Sequence, residues 1–415
     1  MSGSARPHVV LINRWRERYA LYADYLDHER HQVTYVSTEV GLRSVPDSAS
    51  EVVVVQATDD LESVRAAVRG LVDRHGPPTA IVALKEDDLL VAAALREEWN
   101  CPGQRIGDLA HFRDKYLMAE RVAKAGLELP AFAVASDEAD VRDFSARYGW
   151  PLILKPRSGS SSAGVVRLDG PADLAALRFS GEPMMVQAYN PHQIYHVDGV
   201  FTGSAIPLWR ASRYVNTCLG FREGTFLGSV EEDDAEINRA IRECAEDYLR
   251  ALSDTPVVFH LELFVDTSTG APRCSFLEVG ARVGGAEIPF IWRELHGYDL
   301  MAAAFRLQMG LPVPAPRTAD RAEIGGYLLI PAPAERPCRI TDVLSMLGTV
   351  PGLYAEALLK VGDVLPAADA YYEHVGGRFR FRGETSHEVE AALTATAATF
   401  RVSAATAQTA DRTRI

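Results

Sequence analysis

The residues best equipped for chemistry are Glu262, Glu278 and Arg282. Two apolar, β-type runs, Val257–Val265 and Cys274–Val279, flank a Thr-Ser-Thr-Gly turn at residues 267–270, and each run carries one glutamate in hydrophobic surroundings. Paired as an antiparallel hairpin, the runs bring the two carboxylates side by side. Two buried like charges are costly unless a cation lies between them. Mg²⁺ takes oxygen ligands and commonly keeps phosphate oxygens and waters in its shell. Arg282, four positions after Glu278, adds a planar cationic fork suited to phosphate or carboxylate. The set fits phosphoryl transfer from ATP.

A second group lies upstream. Lys155 ends the apolar run Pro151-Leu152-Ile153-Leu154 and is followed by Pro156-Arg157-Ser158-Gly159-Ser160-Ser161-Ser162-Ala163-Gly164. Glycines and small hydroxyl residues let backbone N–H groups approach a polyphosphate, and a neighbouring lysine offsets its charge. The plainer alternative is a flexible linker beside a lysine that reaches to solvent. No Gly-Lys-Ser/Thr closes the loop, so it is not a Walker A sequence. Arg113-Asp114-Lys115 opens a helical segment that Gly126 and Pro130 stop. Taken alone, Asp114-Lys115 reads as a capped, solvated helix start.

The elements that position these residues follow an α/β order. Val9–Ile12, Gln32–Val36, Val52–Gln56 and Ala80–Leu84 are short apolar runs, separated by the mixed segments Arg18–His28, Leu61–His75 and Asp88–Trp99. Such alternation predicts a parallel sheet with crossover helices. No G-x-G-x-x-G follows the first strand, so the dinucleotide fingerprint is absent. A strand at Ala131–Ala135, a helix near Asp137–Tyr148, a hairpin of Leu152–Lys155 with Val165–Leu168, and strands at Met184–Ala188 and His196–Gly203 follow. A helix over Glu231–Leu252 precedes the two-glutamate hairpin, and another covers Leu300–Met309. Pro312, Pro314 and Pro316 mark a boundary. Beyond it come a strand at Gly325–Ile330 and a helix at Ser386–Phe400, with no internal repeat.

With 415 residues, 47% hydrophobic, the chain has core enough for two or three domains. A formal net charge of -13 argues against nucleic acid as a partner. Five scattered cysteines without C-x-x-C spacing read as reduced thiols of a cytoplasmic protein. No apolar run reaches membrane-spanning length, and the polar Met1–Pro7 lacks signal-peptide form. The small, polar residues from Ala404 to Ile415 read as a disordered tail.

Taken in order, Arg113-Asp114-Lys115, Gly126 with Pro130, Pro151–Gly164, Val186-Gln187-Ala188-Tyr189, Glu262 and Glu278 with Arg282 resemble the ATP-grasp superfamily. The resemblance runs from His8 to Phe400, and its specificity lies in the order of five motifs rather than in any one. It implies an ATP-grasp fold, α/β and α+β: an N-terminal parallel α/β domain (1–110), a small lobe with the phosphate loop (111–195), a large lobe with the metal site (196–312) and a C-terminal antiparallel lobe (313–403), then a tail (404–415). It further implies that Lys115 and Lys155 hold nucleotide phosphates. The loop Ser158, Gly159, Ser160, Ser161, Ser162 to Gly164 closes over them, and Gln187, Ala188 and Tyr189 meet adenine and ribose. Glu262 and Glu278 hold Mg²⁺, with Mn²⁺ as an alternative ion, and Arg282 stabilises the transferring phosphoryl group. Three positions depart from the family pattern: Gln187 for a glutamate, Ile194 for an acid, with Asp198 as a possible substitute, and Gly280 for an asparagine. The Glu-x-Gly-x-Arg run followed by Gly284-Gly285 looks like the branch of bacterial L-amino-acid ligases of the bacilysin type.

The implied activity is an ATP- and Mg²⁺-dependent ligase joining a carboxylate, as in an amino acid, to an amine through an acyl phosphate. Its partners are small molecules, with neither nucleic acid nor membrane, and a homodimer is common in the family. Gly284 and Gly285 either donate N–H groups to a developing oxyanion or form a tight turn. Glu86, within Lys85-Glu86-Asp87-Asp88, sits at a parallel-strand carboxyl end where substrates bind; the bland reading is a charged helix start. His260 shares a strand face with Glu262 and either orients it or simply packs. Trp209-Arg210 and Arg213-Tyr214 either contact a substrate carboxylate or, as the default, form a solvated hairpin. The competing functions are a bicarbonate-activating, carboxyphosphate-forming enzyme and a nucleotide-binding scaffold without turnover.

Overall fold

The structure, a computed structural model, describes residues 6–16, 19–159, 162–179, 181–268, 270–314, 323–367 and 375–406. Ser160, Ser161, Pro316 and the tail beyond Thr406 lie outside the described residues. No helix among those described is long and apolar enough to cross a membrane.

The first apolar runs pair as expected into a four-stranded parallel sheet, in the order Glu51–Val54, Gln32–Ser37, His8–Asn13, Pro78–Ala83. His8–Asn13 is buried along its whole length, as a central strand with both faces covered must be. The helix Leu61–His75 turns Val64, Val68 and Leu71 inward at helical spacing and is capped by Asp60, which accepts from the Glu62 N–H.

A second, antiparallel sheet has the order Phe132–Ala135, Met184–Ala188, Leu152–Pro156, Val166–Leu168. Its core is closed by Val141 and Phe144 of the helix Glu138–Tyr148 and by Leu174 of the helix Pro171–Ala176. Pairing Ile153 with Gln187 and Lys155 with Met185 sets the lysine strand beside the expected hinge.

The third sheet has eight strands, in the order Arg273–Gly280, Val257–Asp266, Gln193–Phe201, Leu208–Val215, Leu227–Glu231, Ile324–Pro331, Val375–Gly383, Leu353–Leu358. Side chains alternate between its faces. One face packs Val197, Leu261 and Leu263 against Ile241, Ala245 and Leu249 of the strongly amphipathic helix Ala235–Leu252. The opposite face is polar: register sets Glu278 against Glu262, Glu262 against His196, His260 against Asp198, Ser212 against Glu231 and Tyr214 against Ser229.

Several expectations are corrected here. Arg210 and Tyr214 lie on a central strand of this sheet, not on a solvated hairpin, and Tyr214 is buried. Glu231 ends a strand, and the helix begins only at Ala235, capped by Asp234. The expected boundary at 195/196 falls inside Gln193–Phe201, and the one at 312/313 separates strands of a single sheet. Residues 404–406 are not tail: Val402–Thr406 pairs with Cys338–Val343, which also pairs with Val364–Leu365.

Candidate active site

The hairpin of Val257–Asp266 and Arg273–Gly280 pairs Glu262 directly with Glu278, with a bulge just after Glu262. Their environments differ. Glu262 is deeply placed; its Oε1 accepts a 2.8 Å hydrogen bond from the Tyr214 hydroxyl, and His260 Nε2 stands 3.6 Å away. Burial alone would raise its pKa, but the hydrogen bonds and charge of His260, with the Tyr214 hydroxyl, hold the carboxyl below its ordinary range. Glu278 is more exposed, and its Oε2 lies 3.4 Å from Lys115 Nζ.

Lys115 starts the helix Lys115–Lys124. The cap is Asp114, which accepts from the N–H groups of Tyr116 and Leu117. The capped-start reading therefore holds, and the lysine also belongs to the site. Its Nζ donates to the Gly159 carbonyl at 2.9 Å, and its backbone N–H to the Arg157 carbonyl at 2.8 Å. Arg157 returns to Asp114 through Nε at 3.1 Å and a second nitrogen at 2.5 Å. Helix start and small-residue loop are thus tied together by backbone and ion pair, and Arg157 is a member that motif reading did not single out.

Lys155 is 3% exposed and donates to Gln187 Oε1 at 3.0 Å. Burial pulls its pKa down to about 8, against the opposing pull of Glu278 and Glu262. The amide at position 187 therefore accepts from the ammonium without neutralising it. Ala188 and Tyr189 spend their N–H groups on the carbonyls of Ala131 and Pro151, so those two donors serve the sheet rather than a ligand. Arg167 stacks over the Tyr189 ring at 4.4 Å.

These residues line one cleft of about 510 Å³. Lys115, Lys155, Ser158, Gly159, Ser162, Gln187, Ala188, Tyr189, Glu262 and Glu278 all contribute to its wall, with Cys218 and Phe264 opposite. That is a volume typical of a small-molecule site. Gly164 is not on the wall; it takes φ +70° and sits against the Pro156 ring, where a Cβ would come within 2.8 Å.

Arg282 and Glu86 form their own pair, Nε to Oε2 at 2.8 Å, and Glu86 also meets Arg113 at 2.7 Å. Burial would raise the Glu86 pKa, yet the Arg282 and Arg113 guanidinium groups bring it down to about 2. Burial likewise disfavours charged Arg282, and the Glu86 carboxylate more than reverses this. The charged run at residues 85–88 is therefore a short 3₁₀ turn, and its Glu86 belongs to the site. A Cβ on Gly280 would make ordinary contacts, 3.4 Å from Arg282 Nε and 3.6 Å from Glu86 Oε1, so a side chain there would lie against this pair.

Gly284 and Gly285 serve the turn reading: the Gly285 carbonyl accepts from the Ile288 N–H at 3.2 Å, opening the helix Ile288–Glu294. Gly284 is pressed against the sheet, where a Cβ would lie 2.4 Å from Asp198 Oδ1 and 2.8 Å from His260 Nδ1. Asp198, offered as a substitute for the acid absent at position 194, is thus covered by this turn. It lies on the polar face between His196 and His260. His260 contacts Glu262 as well as packing.

No protein-family model matches the chain. It is 22% identical over 253 residues to the L-arginine-specific L-amino acid ligase of Bacillus subtilis, a match covering 58% of this chain and 60% of that relative's length. Among solved structures, L-amino acid ligase from Bacillus licheniformis superposes with a TM-score of 0.75 at 18% identity, over 96% of this chain and 99% of that one. N5-carboxyaminoimidazole ribonucleotide synthetase from Thermotoga maritima gives 0.68 at 14% identity, over 95% and 99%. Over nearly its whole length the chain shares the fold of these ATP-dependent ligases.

Proposed function

We propose that the protein is an ATP-dependent ligase that joins the carboxylate of an amino acid to an amine, with an acyl phosphate between the two half-reactions. The observation that carries this reading is the facing pair Glu262 and Glu278 in the wall of a cleft that also holds Lys115 and Lys155, with Arg282 held by Glu86. The donor set fits Mg²⁺. It is all oxygen, and the two acids are directly paired, with Lys115 3.4 Å from Glu278. Glu262 and Glu278 would hold the ion, which would supply positive charge against that developing during phosphoryl transfer.

The protein's own groups do the rest. Lys115 and Lys155 bind the polyphosphate and fix its direction. A carboxylate oxygen of the first substrate attacks the γ-phosphorus, and the bond to the β-bridging oxygen breaks, releasing ADP. Arg282 lies where it can share the negative charge of the reacting oxygens, and Glu86 sets the guanidinium plane. The amine then attacks the acyl carbon, gives up a proton, and expels inorganic phosphate. The small-residue loop beside Lys115 shields the acyl phosphate from water.

The similarity to an L-amino acid ligase over nearly the whole chain supports amino acids as substrates. A second reading, activation of bicarbonate as carboxyphosphate, is favoured by the likeness to the N5-carboxyaminoimidazole ribonucleotide synthetase. One experiment separates them: ADP release over all pairs of the common amino acids, in bicarbonate-depleted buffer, with mass detection of products. Pair-dependent ADP release with a product one water lighter than its two amino acids supports the ligase. Release that needs bicarbonate overturns it, and so does tight ATP binding without turnover.

A further inference from the structure

Beneath the paired acids runs a buried chain of hydrogen bonds whose last member, His260, stands 3.6 Å from one of them. Ser229 Oγ lies 2.7 Å from His196 Nε2, and His196 Nδ1 lies 2.6 Å from Asp198 Oδ2. Asp198 Oδ1 lies 2.9 Å from His260 Nδ1, and His260 Nε2 lies 3.6 Å from Glu262 Oε1. Three strands of the sheet supply these groups, and register sets His260 against Asp198 and Glu262 against His196. Ser229, His196 and Asp198 are each at most 2% exposed and His260 is 7% exposed. Gly284 seals the chain from above, at distances that leave no room for a methyl group.

The chemistry of the chain has a direction. Both Asp198 oxygens accept from an imidazole Nδ1–H, which leaves Nε2 of each ring for its other neighbour. On His196 that neighbour is the Ser229 hydroxyl; on His260 it is the Glu262 carboxylate. Tyr214 donates to the same Glu262 oxygen at 2.8 Å. Oε1 thus has a hydroxyl hydrogen bond and an imidazole at 3.6 Å, which leaves Oε2 the freer oxygen to face an ion. His196, Asp198 and His260 are also close enough together to surround a metal ion themselves. Their separations, however, are those of hydrogen bonds, and each Nδ1 already faces a carboxylate oxygen.

We infer that Ser229, His196, Asp198 and His260 are positioning residues that, with Tyr214, lock Glu262 as a one-oxygen metal ligand. The inference rests on the ligase reading only through its metal site. It departs from that reading by making metal affinity depend on residues that touch neither ion nor nucleotide. Outer hydrogen-bond partners of metal ligands typically govern affinity by about 10- to 100-fold.

The test is calorimetric titration of the full chain with a non-hydrolysable ATP analogue, with and without Mg²⁺, for wild type, Glu278→Gln, Asp198→Asn and Ser229→Ala. Asp198→Asn keeps the shape but offers only one acceptor oxygen, so one imidazole loses its partner. The tightening conferred by Mg²⁺ is expected to fall about tenfold in Asp198→Asn and in the same direction, by less, in Ser229→Ala. Affinity without Mg²⁺ stays at the wild-type value in both. The inference is overturned if both variants keep the full Mg²⁺ increment while Glu278→Gln loses it, or if affinity falls equally with and without the ion. Stoichiometric zinc or another transition metal in the purified wild type, lost in Asp198→Asn, would also overturn it. No Mg²⁺ effect in the wild type would instead sink the metal site and the proposed function with it. Ser229→Ala, a small change at the far end, gives the answer if Asp198→Asn fails to fold.

Discussion

Lys155 makes nucleotide affinity depend on pH in a way no surface lysine would. Its ammonium is almost wholly buried, and among the described residues its hydrogen-bonded partner, Gln187, is neutral. Burial lowers its pKa from 10.5 to about 8, a penalty on the charged form of about 3 kcal/mol at 1.36 kcal/mol per unit. A bound polyphosphate restores the preference for the charged form, because its negative oxygens replace lost hydration. Between the free and bound pKa values binding must therefore take up a proton, and affinity declines as pH rises through about 8. For a group of pKa 8 the protonated fraction is about 0.76 at pH 7.5 and 0.09 at pH 9, so affinity falls about eightfold between them. The measurement is calorimetric titration with ADP, without divalent metal, from pH 7 to 9.5, in buffers of different ionisation enthalpy so that proton uptake is counted directly. Lys155→Arg keeps a fixed charge and should flatten the profile; Lys155→Met should bind weakly at every pH. A flat wild-type profile, or a slope that persists in Lys155→Arg, would refute the argument that a buried, uncompensated lysine faces the phosphates.

Three further substitutions probe other parts of the site. Glu278→Gln removes one of the paired acids and the ion-pair partner of Lys115; it should cost several kcal/mol of transition-state stabilisation, roughly three orders of magnitude in turnover, with the urea midpoint unchanged, and near-wild-type rates would move the metal site elsewhere. Glu86→Gln takes the charged partner from Arg282 and one of two from Arg113, which keeps Asp87; a loss of about 1.5–3 kcal/mol per charged hydrogen bond predicts a roughly 10- to 100-fold lower kcat/KM, and steady-state kinetics indistinguishable from wild type would show that the pair does not aim Arg282. Gly284→Ala places a methyl 2.4 Å from Asp198 Oδ1 and 2.5 Å from Ile288 Cδ1, overpacking that should cost about 1–3 kcal/mol in urea unfolding; an unaltered midpoint would mean that residues 283–288 are not clamped to the sheet.

What could be read from residues alone was local. The facing glutamates followed from two β-type runs joined by a short turn, where few registers exist, and Lys155 followed from a strand that runs into a small-residue loop. Tyr214 was misread because Arg210, Ser212 and Tyr214 alternate with Trp209, Ala211 and Arg213 in a pattern usual for an exposed hairpin, whereas the strand is central in the eight-stranded sheet. Glu86 reads as a solvated helix start until the fold carries Arg282, 196 positions later, onto it. The lobe divisions came from the resemblance and, at 312, from prolines, while sheet pairing is non-local: one strand spans 195/196 and one sheet holds strands from both sides of 312/313. Ala404 and Ala405 carry no side-chain signal for a strand; their pairing depends on the backbone of Cys338–Val343.

The departure at position 187 and the ordering of charges in the cleft are connected. Lys115 has the Glu278 carboxylate at 3.4 Å and Arg282 has Glu86 at 2.8 Å, so each of those cations already shares its charge with a protein acid. Glu262 is balanced from its own side, by His260, whose pKa rises to about 9 because the Asp198 carboxylate outweighs the penalty of burial. Lys155 differs from all of these. Its direct partner is an amide, and the two carboxylates that favour its charge act from beyond hydrogen-bond reach. A glutamate at 187 would satisfy the ammonium inside the protein and leave less of its field for a ligand. Glutamine leaves the field directed into the cleft and accepts a lowered pKa in return. The substitution that looks like decay of a nucleotide site is therefore, in this electrostatic setting, consistent with one that keeps a strong phosphate-binding charge, and it weighs against the scaffold reading more than for it.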